Sequence, residues 1–313
     1  MEEYVVIAEG LQKRFGSIWA LHGLDLRVKR GEICGIIGPD GAGKTTILRL
    51  LTGLFPPTGG KAQVLGCQLT PESTASLDQA RHRIGYMPQG SGCFGDLTVY
   101  ENLIFFGKVY GKENPELEQE IDFLLEFTGL KPFATRLADH LSGGMRQKLG
   151  LACSVLAKPE LLLLDEPTTG VDPAARQDFW ELLKTLQQKH QMSVVVTTPY
   201  MDEAARCDQV VLLHDGKILA SGPPESLTGL LKGLVLEVKV KEKYRACETL
   251  SGLPGVKDVN LFGDCLHLLV EARSCEDQVK NVLATEGLEF GEVKAVSPTL
   301  EDVFLSLLAE ERK

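Results

Sequence analysis

The spacing of apolar and polar positions changes character several times along the chain. Over the first thirty residues, YVVIAEGL and LDLRVKRGE alternate and are broken by turns, which predicts short, half-buried strands. From residue 33 the apolar runs become continuous. ICGIIG (33–38), ELLLLDE (160–166) and SVVVTT (193–198) are the clearest. Such runs suit strands covered on both faces, and hence a mostly parallel sheet with helices on both sides. A helix pattern, TTILRLLTGL (45–54), follows the first of them, and a helix-rich insertion spans about 98–157. In VVLLHDGKILASG (210–222), Asp215-Gly216 sits between apolar runs and predicts a hairpin.

The texture shifts at SGPPES (221–226), where two prolines mark a boundary. The expected domains are therefore 1–225 and 226–313. The second part reads strand (LVLEVKV), helix (YRACETLSGL), two strands (VKDVNLF, CLHLLVEA), helix (CEDQVKNVLATEG), strand (LEFGEVKAV) and a final helix from Thr299. Its first six elements predict a split βαβ, ferredoxin-like module.

The 313 residues are 43% hydrophobic and 24% charged, enough for a sizeable core. A net charge of −10 argues against a nucleic-acid partner, because neutralising a phosphate backbone takes clustered Lys and Arg. No apolar run reaches bilayer length, and the acidic start MEEYVVIAEG does not read as a signal peptide. The eight cysteines are scattered without a C-x-x-C pair, which reads as reduced cytosolic thiols and no metal site.

The chemistry begins at GPDGAGKTT (38–46), which fits G-x-x-x-x-G-K-[ST]. Gly38, Gly41 and Gly43 allow backbone conformations closed to bulkier residues, so that the N–H groups of Pro39's successors Asp40, Ala42 and Thr46 can turn toward phosphate. The following helix adds its N-terminal dipole. Lys44 is expected to reach the β- and γ-phosphates and Thr45 to ligate Mg²⁺. In LLLLDEP (161–167) a buried strand ends in two acids. Asp165 is expected to hold Mg²⁺ and Glu166 to polarise the attacking water. A further anion site lies in LSGGMRQKLGLA (141–152), where Ser142, Gly143 and Gly144 precede a helix expected to begin by Met145–Arg146. Two phosphate-binding helix ends but one phosphate loop suggest a dimer in which each chain completes its partner's site.

The order GPDGAGKTT, YMPQ (86–89), LSGGM, LLLLDEP and GVDP (170–173) resembles the ATP-binding subunit of an ABC transporter, over residues 4 to about 225. The resemblance implies an α/β P-loop ATPase with an antiparallel β subdomain and a helical insertion. By the same resemblance, Gln89 senses Mg²⁺ and γ-phosphate, Ser142 and Gly144 contact nucleotide across a dimer, Asp172 links the two sites, and Phe15 of KRFG stacks on adenine. The opening KRFG…ALHGLDL…GEICGIIGPDGAGKTT, DLTVYENL (96–103) and the tail SPTLEDVFLSLL (297–308) are similar to the ABC-2-type exporter ATPases, the group of antibiotic-resistance and multidrug efflux subunits, and the aspartate variant GPDGAGKTT resembles the multidrug ATPases of the YbhF type. That family implies ATP and Mg²⁺ as ligands, an integral membrane permease as partner, a homodimer or heterodimer, and a place on the cytoplasmic face of the membrane. A non-transport ABC ATPase, an ATP-binding regulatory subunit and an importer stay open as rival readings.

Two positions depart from the family pattern. Asp40 stands where asparagine is usual and is expected to point outward. In TTPYMDEA (197–204), Pro199 occupies the place of the histidine that contacts the γ-phosphate. Proline offers neither an imidazole nor a backbone N–H. Tyr200 is the nearest polar side chain, and the site is expected to hydrolyse slowly or to have replaced the contact.

Overall fold

In the computed structural model, residues 3–72, 77–113 and 115–311 are described. The chain divides into two units between Ser221 and Gly222, within SGPPES. The first begins with β1 (Tyr4–Phe15), β2 (Ile18–Lys29), β3 (Ile33–Ile37), α1 (Lys44–Leu51), β4 (Gly59–Val64), β5 (Cys67–Leu69), α2 (Asp78–Arg81) and β6 (Ile84–Met87). The helical insertion holds α3 (Val99–Val109), α4 (Glu116–Phe127) and α5 (Gly143–Val155). Then come β7 (Leu161–Asp165), α6 (Pro173–His190), β8 (Ser193–Thr198), α7 (Met201–Ala204), β9 (Gln209–His214) and β10 (Lys217–Gly222).

The continuous apolar runs form the centre of a six-stranded sheet ordered β10-β9-β3-β8-β7-β6. β3 pairs in parallel with β8 and β9, and β7 with β6 and β8. Every residue of β3, β7 and β8 is buried, as strands covered on both faces require. Asp165 lies opposite Thr197 and Ile37 opposite Thr198. That register brings the C-terminal ends of β3, β7 and β8 level with one another, the usual place for a ligand in an open α/β sheet. Asp215 and Gly216 turn β9 into β10 with φ of 44° and 71°, the left-handed pair a two-residue hairpin needs.

A second, antiparallel sheet runs β2-β1-β4-β5. Its first two strands are twelve residues each, longer than the short strands expected. Register shifts at Ala8/Leu11 and Lys13/Arg14 let the pairing continue through breaks in the alternation that read as turns. Gly10, at φ 56°, sits in the first of these. α5 also begins earlier than expected, at Gly143, so both glycines of LSGGM lie inside its first turn. Ser142 caps it by accepting a hydrogen bond from the Met145 N–H at 3.3 Å.

The second unit contains α8 (Pro224–Thr228), β11 (Leu234–Val240), α9 (Lys243–Ser251), β12 (Val256–Phe262), β13 (Cys265–Val270), α10 (Cys275–Thr285), β14 (Phe290–Val296) and α11 (Leu300–Glu311). The antiparallel sheet order β12-β13-β11-β14 is that of a ferredoxin-like split βαβ. Leu236, Val238, Leu266 and Leu268 point to one face and pack with Ala246, Leu250, Val279 and Leu283 of α9 and α10. Thr299 caps α11: its hydroxyl accepts from the Asp302 N–H at 3.2 Å, and Asp302 Oδ2 accepts from the Thr299 N–H at 2.8 Å.

Candidate functional site

The loop between β3 and α1 is shaped by Gly41 (φ 82°) and Gly43 (φ 105°). A side chain at Gly43 would also meet the Ala20 carbonyl, 2.7 Å from an added Cβ. Lys44 opens α1 and is 4% exposed. Its ammonium donates to the carbonyls of Gly38 at 2.8 Å and Pro39 at 2.9 Å, and pairs with Glu166 Oε1 at 3.0 Å. Asp40 points outward, its side chain 94% exposed and 3.9 Å from Lys44 Nζ. Ala42 is buried behind the loop.

The two acids at the end of β7 diverge. Asp165 stays in the strand and is 1% exposed. Its Oδ1 accepts from the Thr45 hydroxyl at 2.9 Å and the Thr197 hydroxyl at 2.9 Å, and Oδ2 lies 3.5 Å from the Tyr86 hydroxyl. Burial, with the nearby Asp165 charge, pushes the Tyr86 phenol above its ordinary value. Glu166 turns out of the strand with φ 48°, the left-handed region. The turn is held by the Glu166 N–H, which donates to the Thr197 hydroxyl at 3.0 Å. Glu166 Oε2 accepts from the Gln89 amide at 3.2 Å and the Thr169 hydroxyl at 3.2 Å.

These groups meet at a cavity of about 580 Å³ whose lining includes Gly41, Gly43, Lys44, Thr45, Thr46, Gln89 and Glu166. Thr169, Pro199 and Tyr200 line it as well. Pro199 thus faces the same space as Glu166 and Lys44. Gly38, Pro39, Ala42 and Asp165 are not among the residues lining it, and neither are Phe15, Ser142, Gly143, Gly144 and Asp172. Phe15 is 44% exposed, with its ring edge-on to Phe55 at 5.6 Å and Lys13 Nζ 5.1 Å from its centre. Ser142 and Asp172 are exposed N-caps of α5 and α6, the latter accepting from the Ala175 N–H at 3.0 Å.

Sequence reasoning missed the second layer. Glu203, 2% exposed, accepts from the Thr168 hydroxyl at 2.7 Å and the Thr198 hydroxyl at 2.6 Å. Arg176 Nη1 lies 4.0 Å from the same carboxylate, and its guanidinium stacks over the Tyr200 ring at 4.5 Å. Tyr200 is therefore engaged on one face by a cation, and its N–H donates to the Thr198 hydroxyl at 3.1 Å. Paired hydroxyls at 168/169 and 197/198, at the ends of two buried runs, were the available signal.

A buried lysine in a glycine loop, a hydroxyl on an acid at the end of β7, and a second acid facing the same cavity as the lysine define a P-loop nucleotide-binding domain. A family model described as ABC transporter matches residues 21–169. The chain is 36% identical over 313 residues to the probable multidrug ABC transporter ATP-binding protein YbhF of Escherichia coli K12, covering 98% of this chain and 53% of that protein. It therefore spans about half the length of that relative. It is also 36% identical over 307 residues to Nod factor export ATP-binding protein I of Cupriavidus pinatubonensis, covering 97% of this chain and 90% of that one. Among solved structures, the dimeric post-hydrolysis ATP-binding cassette MJ0796 bound to ADP and Pi superposes with a TM-score of 0.62 at 27% identity, over 70% of this chain and 98% of that one. The chain belongs to the family of ABC transporter ATP-binding proteins. Among the described residues no helix is long and apolar enough to cross a membrane.

Proposed function

We propose that this chain is the ATP-hydrolysing motor subunit of an exporter, which closes as a dimer on two MgATP molecules and opens when they are hydrolysed. The observation that carries the reading is the pairing of Lys44 with Glu166 at 3.0 Å in one cavity. A γ-phosphate entering there competes for the lysine. Glu166 is then released to take a proton from the attacking water, while Lys44 and the loop amides hold the phosphate charge. The Thr45 hydroxyl, the Asp165 carboxylate and the Gln89 amide are the oxygen groups that fit Mg²⁺, which neutralises phosphate charge when bound. Export rests on the relatives named for multidrug and Nod factor export.

Dimerisation is supported by the exposure of Ser142 and Asp172 outside their own chain's cavity, where a second copy can use them. Beyond Gln89, the exposed Phe94, Tyr100, Phe105 and Val109 offer an apolar surface through which movement can pass to a separate integral membrane subunit. Pro199 favours one rival, an ATP-binding subunit with little turnover. Steady-state ATP hydrolysis by wild type and Glu166→Gln, alone and with its membrane partner, separates the two. Glu166-dependent turnover supports the motor, and its absence under every partner condition overturns it.

A further inference from the structure

On the sheet face of the second unit opposite the α9/α10 core lies a compact group of ligating side chains. Cys265 and His267 are two residues apart on β13 and so share a face. Glu237 of β11 pairs directly with His267. Their ligand atoms all lie within 4.8 Å of one another. From α11, Asp302 Oδ1 lies 2.8 Å from His267 Nδ1. The Phe262 ring stacks flat on the imidazole at 4.0 Å.

We propose that Glu237, Cys265 and His267 bind a zinc ion, with Asp302 holding the imidazole from behind and water completing the tetrahedron. The imidazole carries the argument. The Asp302 carboxylate, 2.8 Å from Nδ1, is placed to hold the hydrogen on that nitrogen and so present the Nε2 lone pair to an ion. Nε2 lies 3.9 Å from Glu237 Oε2, too far for a hydrogen bond even with a proton between them. The imidazole Nε2, the carboxylate Oε2 and the Cys265 sulfur thus converge on one spot with no Nε2–Oε2 hydrogen bond between them. Lys294 pairs with the other oxygen, Oε1, at 3.0 Å and keeps the Glu237 carboxyl below its ordinary range, which leaves an ionised Oε2 on the side of the imidazole. One nitrogen, one sulfur and one carboxylate oxygen suit Zn²⁺ and not Mg²⁺ or Ca²⁺. Two such ligands on one zinc stand roughly 3.4 Å apart, so 3.9 Å needs only a small adjustment.

His267 and Cys265 are each 4% exposed, while the Glu237 side chain is 21% exposed and marks the way in. Burial pushes the Cys265 thiol up. Binding therefore displaces its proton to solvent as the sulfur–zinc bond forms. A carboxylate behind a ligating histidine is the common support of such sites. Here that carboxylate also caps α11, so occupancy of the site is felt by the terminal helix.

The test uses the nucleotide-free full chain, stripped with a chelator. It is titrated with Zn²⁺ against a chromophoric competitor, and separately with Co²⁺. One zinc per chain and a thiolate-to-cobalt charge-transfer band are expected. Cys265→Ser should abolish the band and weaken Zn²⁺ binding at least ~10-fold, and Asp302→Asn should weaken it about 10–100-fold. Cys247→Ser, outside the group, should change neither. Absence of the band in wild type, or unchanged Zn²⁺ affinity in Cys265→Ser, overturns the proposal. Cys265→Ser keeps the Asp302–His267 bond and the α11 cap, so its result stands even if Asp302→Asn does not fold.

Discussion

Lys44 Nζ and Glu166 Oε1 lie 3.0 Å apart, with both side chains almost fully buried. Each partner compensates the other's charge, so the two substitutions have different effects. Glu166→Gln keeps a polar group for Lys44 and removes the base. It should lower kcat by about 10²–10⁴ with nucleotide affinity nearly unchanged. Lys44→Ala should instead weaken ATP binding by roughly 10–100-fold. Equilibrium binding of a fluorescent ATP analogue, set beside steady-state hydrolysis, separates the two effects.

Pro199 borders the same cavity but offers the phosphate no donor. Pro199→His should raise kcat, by up to about 10²–10³ if the imidazole reaches the phosphate, and Glu166→Gln in the same chain should cancel the gain. Unchanged turnover would mean that another group already supplies the contact.

Ser142 caps α5 yet does not line its own chain's cavity. Ser142→Arg should therefore leave ATP binding to a single chain within a few-fold and abolish ATP-induced dimerisation. Size-exclusion chromatography with light scattering, in the Glu166→Gln background to prevent turnover, reads the outcome directly.

Thr197 is fully buried; its hydroxyl donates to Asp165 and accepts from the Glu166 N–H. Thr197→Val keeps the shape and removes both bonds, leaving Asp165 Oδ1 with the Thr45 hydroxyl and the Glu166 N–H with the Thr197 carbonyl at 3.1 Å. The expected loss is about 1 kcal/mol in urea unfolding, with Thr197→Ser close to wild type.

Arg83 first, and then Arg30, hold the Glu160 carboxyl at about 2, down from an ordinary 4.5. A carboxyl lowered by folding stabilises the fold above its unfolded value and loses that contribution as pH falls toward its folded value. The Glu160 side chain is 39% exposed, so solvent screening limits the contribution to about 1 kcal/mol. Glu160→Gln should thus lower the thermal midpoint near neutral pH, with the gap to wild type closing below about pH 4.5.

The elements most legible beforehand are those whose determinants lie next to one another in the chain. GPDGAGKTT carries its strand end, glycine conformations, lysine and hydroxyl within nine residues, and β3, the loop and α1 follow directly. The layer behind it was not legible. Thr197 reaches Asp165 only because β7 and β8 pair in parallel with those two residues opposite, and Thr168 meets Glu203 across 35 residues. The start of α5 was misplaced for a local reason. Two glycines read as a break, but the Ser142 cap offsets their cost in the first turn. The Glu237–Cys265–His267 group was hidden for both reasons at once, since it joins two strands and contains no C-x-x-C.

The Thr198 hydroxyl donates to Glu203 and accepts from the Tyr200 N–H, so it bridges the stretch on either side of Pro199. That bridge asks nothing of residue 199, neither its side chain nor an N–H. Position 199 is in this sense a socket, wired in place by its neighbours and indifferent to what is plugged into it. The bonds that hold Thr198, Tyr200 and Glu203 together are all made without residue 199, so a histidine exchanged in at that place removes none of them.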